Sequence, residues 1–210
     1  MERSYGPPSP PVRETLILLR DALLCEYRAE YLPAHRRSPR RSRRLRRIRA
    51  WSRDLSCLVA RVDRVTQQTL LRIEQETGHA FRDPDGLVRL MLSHSARRFF
   101  GRLSAGALPA PARDLAMLES ASDAQALAII GDVTLQVKTP PGTHLEPQDL
   151  VALCDQWGLY EDRIGLPVGQ HPLDEEKATL ARAVLGLIYI EGGADALRAA
   201  VPLPVRNPVI

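Results

Sequence analysis

The chain has 210 residues, of which 44% are hydrophobic, 26% charged and 5% aromatic, a balance ordinary for a globular protein. Its net charge of +4 and pI near 9.2 point only weakly toward polyanionic partners. The apolar runs stop well short of 18 residues, which argues against a membrane-spanning helix.

The opening segment MERSYGPPSPPVRE has no apolar core behind a basic end, so no secretory signal is expected. Cys25, Cys57 and Cys154 lie far apart and form no CxxC pair, which suggests neither a disulfide framework nor a zinc site. A reducing cytoplasm is the expected setting.

Residues 1–11 are rich in Pro, Gly and Ser and are expected to form a disordered tail. From Val12 to about Tyr31, Leu16, Leu19, Leu23 and Tyr27 recur at helical spacing. A dense basic run follows Pro33. Arg36, Arg37, Arg40, Arg41, Arg43, Arg44, Arg46, Arg47 and Arg49 fall within fourteen positions. Guanidinium groups bind phosphate bidentately and release counterions from nucleic acid, so these nine arginines are the RNA-binding candidates. The bland alternative is a solvated basic helix end.

The run feeds a long helical pattern that is expected to stop near Gly78. Along it, Ile48, Trp51, Leu55, Leu58, Val62 and Val65 step by three and four. Such a stripe can pack on a core or on a partner helix, and core packing is preferred because the stripe is short. Residues 12–78 are therefore read as a basic helical extension.

Residues 79–200 read as helices joined by short Pro- and Gly-containing loops, with no alternating strand pattern. Residues 201–210 form an extended tail. The fold class expected for the whole chain is all-α.

Three blocks carry a resemblance. They are FRDPDGLVRLMLSHS at 81–95, AQALAIIGDVTL at 124–135 and KATLARAVLGLIYIEGG at 177–193. In this order they resemble the ribonuclease III family, and they span about half the chain. The last is the most specific, with Lys177, Ala178, Ala183, Gly186, Ile188, Tyr189, Gly192 and Gly193 in register. The resemblance implies an RNase III-like helical domain that acts on structured or double-stranded RNA. It also implies a homodimer packed through the helix at 124–135, or a place in a ribonucleoprotein or RNA-processing complex. Ile129 stands where the family has a Phe that enters the partner subunit.

Family enzymes hold divalent ions with carboxylates on two helices, and the ions activate water and stabilise charge on the phosphate. The matching positions here carry Gln125, Ala128, Asp132, Thr179 and Arg182. Asp132 alone is left as a catalytic candidate, and Arg182 nearby would oppose a metal. No catalytic set is intact, no metal site or cofactor is expected, and Asp132 and Arg182 are expected to pair across one cleft.

The reading is a non-cleaving pseudo-nuclease that binds RNA. One alternative is a divergent endoribonuclease using magnesium, Asp132 and relocated carboxylates. A second is a protein-interaction module that binds no nucleic acid. Glu119, Asp123, Asp174, Glu175 and Glu176 precede the two helices and are read as caps or dipole partners. His94 is read as a satisfied structural histidine. His79, His144 and His171 show no ligand spacing, and Trp51 and Trp157 are read as packing residues.

Overall fold

The computed structural model describes residues 11–31, 39–104, 123–138, 145–165 and 173–201, with the side chains of 39–41, 123, 137 and 138 left aside. Helix α1 spans Val12–Tyr31 and α2 spans Pro39–Arg64. In α1 the side chains of Val12, Thr15, Leu16, Leu19 and Leu23 are buried, as the three-and-four spacing predicts. In α2, Leu45, Ile48, Leu55, Leu58, Val59 and Val62 face inward. Ion pairs at both ends fix the pairing as antiparallel. Arg13 at the start of α1 reaches Asp63 at the end of α2 at 2.6 Å, and Arg44 near the start of α2 meets Glu26 and Glu30 near the end of α1.

The stripe from Ile48 to Val65 is therefore core. Its aliphatic members are 2% exposed or less, and only Trp51 is half-buried. Burial of each is worth roughly 1.5–3 kcal/mol relative to exposure. It offers no seam for a second chain.

After Arg64 the helix widens into one π turn, Val65–Thr69, before α3 at Leu70–Thr77. The buried Thr69 donates its hydroxyl to Asp162 at 2.9 Å. Gly78 closes α3 at φ 68°, its N–H bonded to the Glu74 carbonyl at 2.9 Å. This is the left-handed cap that glycine adopts without strain. Helix α4, Pro84–Met91, starts on Asp83, whose carboxylate accepts from the Asp85 N–H at 3.0 Å, with Pro84 in its first turn.

Helix α5 spans His94–Ser104 and buries Ala96, Phe99, Phe100 and Leu103 completely. The chain breaks at Leu92, so His94 becomes the first residue of a new helix and is exposed.

Helices α6 (Asp123–Lys138), α7 (Pro147–Gln156) and α8 (Asp174–Ala200) complete the described elements. Helix α7 starts with a reciprocal capping box between Glu146 and Asp149. The middle of α8 is apolar on nearly every side, with Leu180, Ala181, Ala183, Val184, Leu185 and Ile188 all buried. It is a central helix, packed by α4, α6 and α7.

Ile190, three residues before the kink in α8, is 55% exposed. Gly193 takes φ 75°, which kinks the helix, and the helix resumes to Ala200. Beside α8, Trp157 and Cys154 are buried, and burial pushes the Cys154 thiol up to about 11.

The described residues are helical with no β-strand run, and no helix among them is long and apolar enough to cross a membrane. They fall into two units. One holds 11–31, 39–63, 93–104 and 164–165, and the other holds 64–92, 123–138, 145–163 and 173–201. Arg36, Arg37, Glu119, His144, His171, residues 1–10 and residues 202–210 lie outside the described residues.

Candidate functional site

Two places carry chemistry. The first is the outer face of α2. Leu45, Ile48, Ser52 and Leu55 anchor the opposite face, so Arg43, Arg46, Arg47, Arg49 and Arg53 project outward and are exposed. The arginines of the basic run are not equivalent. Arg44 points toward α1, where Glu26 and Glu30 occupy its guanidinium; the hydrogen bond to Glu26 holds its pKa above the ordinary value. Arg47 lies over the Trp51 ring at 5.1 Å.

Among the described residues, no acidic side chain is paired with Arg43, Arg46, Arg49 or Arg53. Arg40 and Arg41 belong to α2, with their side chains outside the description. Arg53 was not among the sequence candidates. Its signal was present: it falls four residues beyond Arg49, one helical turn along the same face.

The second place is the crossing of α6 and α8. Gly131 and Gly186 face each other there. A Cβ on Gly131 would overlap the carbonyl oxygen of Arg182, and one on Gly186 would overlap that of Leu127. The backbones meet directly because neither helix has a side chain at the contact.

This close crossing brings Asp132 and Arg182 together, with Arg182 Nε at 3.5 Å from Asp132 Oδ1. Gln136 donates to the other Asp132 oxygen at 3.2 Å. Asp132 is half in water, at 51% exposure, so the pair is worth on the order of 1 kcal/mol or less.

The remaining positions of the set do not converge as ligands. Thr179 turns its hydroxyl back to the Glu175 carbonyl at 2.7 Å, Ala128 is buried and apolar, and Gln125 is exposed. Such a donor set does not fit a divalent ion, which needs several oxygens at close range. Among the described residues no group of three His, Cys, Asp or Glu side chains stands close enough to hold a metal. Beside the pair is a cavity of about 510 Å³, lined by Val151, Ala178, Asp174, Glu175 and Arg182 among others.

Asp174, Glu175 and Glu176 lie in the first turn of α8, where the helix dipole favours carboxylates. His79 is packed edge-on against Phe81 and lies 3.6 Å from Glu191. On the outer side of α6, Ile129 and Val133 are exposed. Comparison of the chain with family models, with curated proteins and with solved structures gives no match.

Proposed function

We propose that the chain is an RNase III-like RNA-binding protein that holds structured or double-stranded RNA without cutting it, alone or within an RNA-processing complex. The observation that carries this reading is the arginine face of α2. It is a row of exposed guanidinium groups on a helix backed by its partner, with no acid between Ser42 and Arg53. A fixed row of positive charge gains affinity for phosphate chiefly by counterion release. The three sequence blocks support the RNase III-like part of the reading. The replaced carboxylates support the non-cleaving part, since Asp132 has a cation beside it instead of a second acid.

The test incubates labelled duplex RNA with the full chain and millimolar magnesium or manganese, and examines strand length under denaturing conditions. The expected result is RNA of unchanged length. Metal-dependent shortening that is abolished by Asp132→Asn would establish the endoribonuclease alternative instead.

A further inference from the structure

The exposed arginines of α2 can be assigned individually. At 100° per residue, Arg43, Arg46, Arg49 and Arg53 fall within a sector of about 120°, opposite the buried Leu45, Ile48 and Leu55. Arg44 is engaged by Glu26 and Glu30, and Arg47 sits over Trp51. From Arg43 to Arg53 the helix rises about 15 Å. In duplex DNA each strand presents a charge about every 3.4 Å along the axis, so on that form this length corresponds to roughly four phosphates. Among the described side chains, the number of open arginines and the length of their row agree.

The charges elsewhere point the same way. The described residues of the unit containing α1, most of α2 and α5 hold fifteen arginines and six acids, a net +9. Those of the unit containing Asp132, Arg182 and α8 hold nine basic and sixteen acidic side chains, a net −7. A phosphate chain is attracted to the first and repelled by the second.

We infer that the ligand is a sugar-phosphate backbone tracked over about four phosphates by Arg43, Arg46, Arg49 and Arg53, and that RNA does not engage the helices carrying Asp132. This rests on the RNA-binding reading and narrows it to one helix face and one mode of contact. Double-stranded RNA is recognised mostly by shape and by 2′-OH and phosphate contacts, its A-form major groove being too deep and narrow for side chains to read. The contacts of this face are therefore with phosphate, and base sequence is not read. Duplex DNA offers the same phosphate chemistry and is bound through the same arginines.

The experiment measures fluorescence anisotropy of labelled 16-base-pair duplexes, RNA and DNA in separate arms, against the full chain over a range of salt. Replacing Arg43, Arg46, Arg49 and Arg53 together by Gln should weaken RNA binding at least a hundredfold at 100 mM salt. It should also make the slope of log affinity against log salt shallower by roughly three to four. Lysines at the same four positions should restore most of the slope, and two duplexes of unrelated sequence should bind alike. Arg44→Gln should lower the melting temperature while affinity stays within about twofold. Arg82→Gln with Arg198→Gln, in the acidic unit, should bind as the parent does.

The inference is overturned if the four-Gln protein keeps the parent's affinity and slope, if lysines fail to restore the slope, or if the Arg82 and Arg198 changes remove binding. In those cases RNA binding itself stands. Failure of the unaltered chain to bind any duplex sinks the RNA-binding reading as well.

Discussion

Gly131 and Gly186 hold α6 and α8 at a backbone-to-backbone distance that no other residue allows, since a methyl at either position overlaps a carbonyl oxygen of the opposite helix. Carbonyl oxygens in helices cannot move aside as the end of a flexible side chain can. Gly131→Ala should therefore force the helices apart and cost about 3 kcal/mol, the upper range for overpacking, despite alanine's better helix propensity. Denaturant unfolding measures this; a variant as stable as the parent would show that the crossing is looser than the structure has it. That these glycines allow close approach is legible from their place in apolar helical patterns. The Asp132–Arg182 pair is also legible, because both residues occupy positions that the resemblance brings to one cleft. Arg44 is not. In sequence it looks like its eight neighbours, and only the antiparallel pairing of α1 with α2 reveals that Glu26 and Glu30 claim it.

At the scale of elements, the long apolar stripe of α2 was correctly read as core, and Gly78 as its stop, because both depend on local periodicity and on backbone conformation. The π turn at Val65–Thr69 and the kink at Gly193 were not read. The π turn coincides with the long-range bond from Thr69 to Asp162, 93 residues away, which no local pattern announces. At Gly193 the chain had two solutions, a stop or a kink, and the burial of Leu197 and Ala200 beyond it favours continuation.

The α6–α8 crossing also makes a chemical prediction. Arg182→Glu places a second carboxylate opposite Asp132, so repulsion replaces attraction and the metal-free protein should melt at a lower temperature. Added manganese should raise the melting temperature of this variant and leave the parent unchanged, because a ligand stabilises only the protein that binds it. Equal stabilisation of both proteins by manganese would contradict the role given to Arg182.

For the whole molecule, the net charge of +4 conceals a strong segregation, +9 in one set of described residues and −7 in the other. The arginine run made the basic part visible in the sequence. The acidic part was less visible because, apart from Asp174, Glu175 and Glu176, its carboxylates are scattered over α3, α4, α6, α7, α8 and the connecting segments. The all-helical architecture was legible from periodicity and loop residues. Residues 93–104 belong to the same unit as the N-terminal helices, across a long stretch of sequence.

The central claim is that this helical protein binds RNA through electrostatic contact with phosphate. The measurement that tests it most directly is equilibrium binding of the unaltered chain to duplex RNA at 50 and 200 mM salt. Four phosphate contacts predict binding weaker by roughly a hundredfold at the higher salt. No binding at 50 mM, or an affinity that does not change between the two, would contradict the claim.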